Sequence, residues 1–252
     1  MVATRLYGKT DTGIRRLDNE DAFVILSGLD LCALADGMGG AAAGELASQL
    51  FADAVVETFT AVGQRSEQEI VGLVEKTYRA ANERILLHVS SNPEHKGMGC
   101  TAELLVFLDH GYVLGHVGDS RTYLFRSGQL KRLTNDHSVV QSQLDQGLIN
   151  AAEARKHPMR NVILRAVGTN EVLAFDLIRG RIQLGDLFLL CSDGLTDMVD
   201  DAVLREVLGA DLPLLQKVDQ LVDLANSAGG HDNITVILGE VARMQATPVI
   251  GG

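Results

Sequence analysis

Asp21-Ala22-Phe23-Val24-Ile25-Leu26-Ser27-Gly28-Leu29-Asp30-Leu31-Cys32-Ala33-Leu34-Ala35-Asp36-Gly37 reads as two short apolar runs joined by a turn. Residues 22–26 and 31–35 have strand length, and the four residues between them have the composition of a hairpin connection. If the two runs pair as a hairpin, Asp21 falls opposite Asp36, with Glu20 beside them. Like charges placed directly opposite destabilise a sheet, so this arrangement asks for a compensating cation. Gly37 after Asp36 lets the backbone turn sharply and approach a ligand closely.

Working outward, residues 102–108, 112–117, 122–126, 129–133, 172–179, 186–191 and 234–238 are further apolar runs bounded by turn residues. Several are joined by hairpin-length turns, Asp109-His110-Gly111 and Ser127-Gly128 among them, and they read as antiparallel strands. Two long helices interrupt them early. Leu46, Leu50, Ala54 and Phe59 share one face, and Val71, Val74, Tyr78, Ala81 and Ile85 step by three and four. A later helix pair is expected over 201–208 and 214–225, with Gly229-Gly230 as a stop signal. Strand runs separated by blocks of helix argue for an α+β fold with helices on the faces of antiparallel sheets. The polar segment 136–162 reads as a partly helical flap. One domain is expected over residues 1–240, with 241–252 as a C-terminal tail that frays from Met244.

The composition fits a single globular domain: 252 residues, 46% hydrophobic and 22% charged. Lys and Arg number 22 against 33 Asp and Glu, a formal charge of −11. Such a surface repels nucleic-acid backbones and anionic lipid, although bound divalent cations would neutralise part of it. Cys32, Cys100 and Cys191 are far apart and odd in number, which reads as free buried thiols in a reducing cytoplasm. The first residues lack the apolar core of a signal peptide, and no run of roughly 18 apolar residues is present to span a bilayer.

The aspartates fall where strands end or begin. Asp193-Gly194 follows the run 187–191, Asp119 follows 112–117, and Asp232 precedes 234–238. Strand ends and strand starts share an edge in antiparallel sheets, so these groups are expected to converge with Asp36. A lone Asp-Gly is usually a turn, and Asp232-Asn233 alone reads as a loop; it is the repetition beside the opposed Asp21 and Asp36 that indicates a two-metal site. Carboxylates without a Cys/His cluster favour Mg2+ or Mn2+ over zinc. Arg16, just upstream, suits bidentate capture of phosphate, whereas without the metals it reads as a surface arginine paired with Asp18.

In order, residues 16–21, 35–40, 115–121, 133–137, 191–195 and 230–236 resemble the metal-dependent protein phosphatases of the PPM (type 2C) family, in its compact bacterial form. The resemblance covers nearly the whole chain. It implies an α-β-β-α four-layer sandwich, two central antiparallel sheets flanked by helix pairs. Asp36 would bridge two metals and the Gly37 carbonyl would ligate one; Asp193 and Asp232 would complete the first metal. Glu20 and Asp21 would hold coordinated waters in a second shell, and Asp119 with Asp193 would bind a third ion. Arg16 would hold the substrate phosphate, and Asn233 is a further candidate beside Asp232. The implied reaction is hydrolysis of phosphoserine or phosphothreonine in other proteins by a metal-activated bridging water. The implied substrates are those of a bacterial serine/threonine kinase, and a monomer is expected.

Two positions depart from the pattern. Ala41 and Met38 stand where bacterial and eukaryotic relatives, respectively, carry a histidine. The proton donor to the leaving group is therefore open between a metal-bound water and His157 in the flap, while His116 and His137 read as structural. The alternatives are an inactive phosphatase-like binding module and a metal-dependent phosphodiesterase. Retention of Asp36, Asp193 and Asp232 together speaks against the first. The acidic surface and the ordered motifs speak against the second.

Overall fold

The computed structural model describes residues 2–60 and 66–243. In chain order, β1 (Val2–Asp11), β2 (Asp21–Leu26) and β3 (Leu31–Met38) lead into α1 (Ala41–Thr60) and α2 (Glu67–Ser91). Then come β4 (Gly99–Cys100), β5 (Ala102–Phe107), β6 (Gly111–Val117), β7 (Arg121–Arg126) and β8 (Gln129–Arg132). The flap carries α3 (Val139–Asp145) and α4 (Ala151–Ala154). The rest is β9 (Asp176–Arg181), β10 (Leu187–Cys191), α5 (Asp193–Thr196), α6 (Asp201–Gly209), α7 (Leu214–Ser227) and β11 (Ile234–Arg243).

Strand periodicity builds the layers. One antiparallel sheet runs β1-β11-β10-β7-β8; the other runs β2-β3-β5-β6-β9, with β4 paired to β3. Between them Cys32, Leu34, Leu105, Phe107, Tyr112 and Leu114 meet Leu124, Phe188, Leu190, Ile237 and Val241. The alternate residues Leu31, Ala33, Leu104 and Val106 pack against Phe51, Val55, Val74 and Tyr78 of α1 and α2. On the far side Leu187, Leu189, Val236 and Leu238 pack against Leu204, Leu208, Leu221 and Ala225 of α6 and α7. Three cores thus separate four layers, α-β-β-α.

The structure revises some boundaries. β1, which the sequence reading left out, pairs with β11 along its whole length, Val2 opposite Arg243 and Asp11 opposite Ile234. Its outer residues, such as Arg5 and Tyr7, are exposed, which weakens the apolar pattern. β9 begins at Asp176 and not at 172, because Val172 is solvent-exposed and β6 offers partners only from His116↔Asp176 to Gly111↔Arg181. β11 continues to Arg243, so residues 241–243 are strand and not tail; Met244–Gly252 lie outside the described residues. α2 starts earlier than its apolar stripe because Ser66 and Glu69 form a reciprocal capping box. The flap over 136–162 is partly helical, and a bridge between Ser138 and Ile163 closes its base.

Candidate metal centre

The inward faces of both sheets are apolar over most of their length and polar at one end. Inward positions read Asp36, Leu34, Cys32 along β3, Glu103, Leu105, Phe107 along β5, and His116, Leu114, Tyr112 along β6. At the polar end β3 and β10 finish, β2 and β11 start, and the chain crosses from β6 to β7 in the other sheet. Carboxylates from four separated segments meet there.

The hairpin forms in the anticipated register, with Asp21 directly opposite Asp36. Asp21 Oδ2 accepts hydroxyl hydrogens from Ser192 at 2.9 Å and Thr235 at 2.6 Å, both from the other sheet. Its Oδ1 is buried without a hydrogen-bond partner, and so is Oδ1 of Asp193. Burial pushes the Asp21 pKa up to about 6 against the pull of the two hydroxyls. Asp36 and Asp193 are pushed well above the usual carboxylate range, first by burial and then by surrounding like charges. For Asp36 those charges are Asp21, Asp193, Asp119 and Asp232; for Asp193 they are Asp119, Asp197, Asp232 and Asp21. Asp119 is raised to about 6 by burial and by Asp136.

Backbone placement is tight. The Gly37 N–H donates to the Glu20 carbonyl at 3.1 Å. A Cβ on Gly37 would stand 2.1 Å from the Gly44 carbonyl oxygen, and one on Gly44 would stand 1.7 Å from Glu20 Oε2. The start of α1 thus lies hard against the end of β3, and Glu20 lies against α1. Burial raises the Glu20 pKa, opposed chiefly by Arg16.

Arg16 joins this cluster rather than Asp18: Nη2 donates to Asp232 Oδ2 at 2.7 Å and Nη1 lies 3.8 Å from Glu20 Oε1. Asn233 holds the loop that carries Arg16. Its Nδ2 donates to the carbonyls of Thr12 and Asp18 at 3.0 and 2.9 Å, and its Oδ1 accepts the Glu20 N–H at 2.8 Å. His157 is not brought in: its Nδ1 accepts the Met159 N–H at 3.2 Å, and among the described residues no hydrogen bond or ion pair joins it to the carboxylates. Ser192 and Thr235, which hold Asp21, and Asp197, whose N–H donates to the Asp193 carbonyl at 2.8 Å, join the site without having been evident in the sequence. A four-residue step from Asp193 to Asp197 on a helical turn was the available signal.

Among the described residues no three carboxylate, histidine or cysteine groups already close on one point as a finished cage. The donor set nevertheless fits divalent cations. It consists of hard oxygens, two of them buried and unpartnered, on carboxylates that resist ionising together.

A family model described as Protein phosphatase 2C matches residues 11–235. Serine/threonine protein phosphatase PstP of Mycobacterium tuberculosis is 37% identical over 252 residues, covering 98% of this chain; the chain spans about half (48%) of that relative's length. Serine/threonine phosphatase Stp of Listeria innocua is 38% identical over 244 residues, covering 94% of this chain and 96% of the relative. The solved structure of the Mycobacterium tuberculosis serine/threonine phosphatase PstP/Ppp superposes with a TM-score of 0.89 at 37% identity, covering 96% of this chain and all of that one. A solved catalytic domain of PstP in complex with two manganese ions superposes with a TM-score of 0.87 at 36% identity, covering 96% and 100% of the two chains.

Proposed function

The chain belongs to the protein phosphatase 2C family, and from that premise we propose that it hydrolyses phosphoserine and phosphothreonine in other proteins with the help of Mg2+ or Mn2+. The observation that carries the reading is the opposed Asp21 and Asp36 pair beside Asp193, with two buried carboxylate oxygens left unpartnered. Asp36, the Gly37 carbonyl, Asp193 and Asp232 would hold two ions, Asp119 with Asp193 a third, and Glu20 and Asp21 would accept hydrogen bonds from water beside them. Divalent cations at such a site make a water molecule acidic and neutralise charge on the phosphoryl oxygens.

The chain's own residues do the rest. Asn233 fixes the loop before Glu20, so Arg16 meets the carboxylate cluster at a set place. Its guanidinium offers a two-pronged donor for the phosphate. Ser192 and Thr235 hold one oxygen of Asp21 and leave the other without a protein partner. The hydrogen bond described for His157 ties it to Met159 and not to the carboxylates, which favours a water molecule over His157 as proton donor to the leaving oxygen.

The substrates would be phosphoproteins, with a serine/threonine kinase as the opposing activity. A cytoplasmic place accords with three buried free thiols, and no described helix is long and apolar enough to cross a membrane. Hydrolysis of a phosphothreonine peptide, measured with Mn2+, with Mg2+ and with EDTA, tests the reading. Activity should require the metal and fall at least about a hundredfold in Asp193→Ala. A folded protein that binds Mn2+ by calorimetry yet releases no phosphate would sink it.

A further inference from the structure

The proposed chemistry makes no use of Glu103 and His116, yet both side chains are fully buried. They face each other across the β5–β6 ladder, in inward positions that the same strands otherwise fill with Leu105, Phe107, Leu114 and Tyr112. His116 Nδ1 is hydrogen-bonded to Glu103 Oε1, and Glu103 Oε2 accepts the Thr122 hydroxyl at 2.5 Å from the opposite sheet. His116 Nε2 lies 3.0 Å from the main-chain carbonyl of Asn135. A carbonyl only accepts, so Nε2 carries a proton. An ionisable pair costs more to bury than apolar side chains of the same size, so packing alone does not account for it.

Asn135 opens the segment that leads into the flap, and that segment is laced to the crossover bearing Asp119. Asp136 takes Arg121 Nε and Nη2 at 3.0 and 2.6 Å. The His137 N–H donates to the Gly118 carbonyl at 2.7 Å, and His137 Nδ1 accepts the Gly118 N–H at 3.2 Å. The Leu164 N–H donates to the His137 carbonyl at 2.6 Å and closes the base of the flap.

We propose that Glu103 and His116 are positioning residues: Glu103 orients the imidazole, and the Nε2 proton of His116 pins the Asn135 carbonyl, fixing the flap root and the Asp119 carboxylate together. Neither touches substrate. The part that concerns Asp119 rests on the proposed reading of it as an ion ligand; the part that concerns the flap does not.

The test separates hydrogen bonding from charge. Glu103→Gln keeps every bond, because its amide donates to Nδ1 of a neutral ring and its carbonyl accepts from Thr122. His116→Phe removes the donor to Asn135. Amide hydrogen exchange over residues 137–164 and Mn2+ titration by calorimetry are read on both. Glu103→Gln should match the parent protein. In His116→Phe the flap amides should exchange at least about tenfold faster and the weakest Mn2+ step should loosen about tenfold, while exchange at Leu105 and Leu190 holds. Unchanged flap exchange overturns the proposal, and faster exchange with unchanged Mn2+ binding overturns its Asp119 part. If His116→Phe does not fold, nitrogen-resolved NMR of the parent protein decides. The Nε2 proton should exchange with the flap amides; exchange only at the rate of the β5 and β6 amides overturns the latch. None of these readouts depends on phosphate release, so a failure of the phosphatase reading shows separately.

Discussion

At Arg16 the guanidinium already lies against acceptors of the kind a phosphate offers. It pairs with Asp232 at 2.7 Å while its side chain stays 45% exposed, so an incoming phosphate can reach the same donors. Arg16→Ala should raise KM for a phosphothreonine peptide about tenfold, because a hydrogen bond to a charged group contributes about 1.5–3 kcal/mol. Arg16→Lys should recover only part of this, since a single ammonium lacks the planar fork; steady-state kinetics of the two variants check it. Gly44 is the other position where one atom decides. A Cβ there would stand 1.7 Å from Glu20 Oε2, so Gly44→Ala must displace the Glu20 carboxylate. Mn2+ affinity, read by calorimetry, should fall about 10–100-fold, the usual effect of disturbing a group that supports metal ligands.

Between elements, Asn233 is the staple that ties the loop before β2 to the start of β11. It satisfies the Glu20 N–H and the carbonyls of Thr12 and Asp18. Asn233→Ala leaves these main-chain groups unpaired at a cost of about 1–3 kcal/mol for each one that stays dry. Thermal unfolding should move down by several degrees, and KM should rise as the Arg16 loop loosens. Ser66→Ala makes a contrast: loss of the α2 cap should cost about 1 kcal/mol with phosphate release unchanged. The same elements show what the sequence exposes. The β2–β3 register was legible because strand periodicity ties the apolar face to the pairing, so the opposed aspartates followed. β1 was hidden because polar and apolar residues share an edge strand, and the roles of Ser192 and Thr235 because a hydroxyl at a strand end does not show which carboxylate it will meet. Glu103 and His116 read as breaks in apolar runs, and only the pairing of β5 with β6 brings them together.

On the scale of the whole molecule, the site is where two facing sheets run out of apolar side chains together. That geometry explains why the residues gathered there come from positions as far apart as Arg16 and Asn233, and why their convergence was not contained in any single spacing. It also gives the metal-free protein a characteristic pH dependence. Burial pushes the pKa of Asp21 up to about 6 from an ordinary aspartate value of 3.8, and Asp36 and Asp193 are pushed the same way. The folded state therefore binds more protons than the unfolded chain between those values, so stability falls as pH rises through that window. The stabilisation from these protonated carboxylates is present below the unfolded value and is lost as pH rises through about 6. In EDTA the unfolding temperature should thus fall more steeply, or rise less, between pH ~4 and pH ~6 in the parent protein than in Asp21→Asn. Asp21→Asn should flatten the fall, because the amide carries no charge opposite Asp36. Saturating Mn2+ should flatten it too, because cations then supply the positive charge that protons supply at low pH. A metal-free protein whose unfolding temperature climbs over the same range, with Asp21→Asn no different from the parent, would show that these carboxylates are not held in mutual repulsion. The case for a cation site built on that repulsion would then fail.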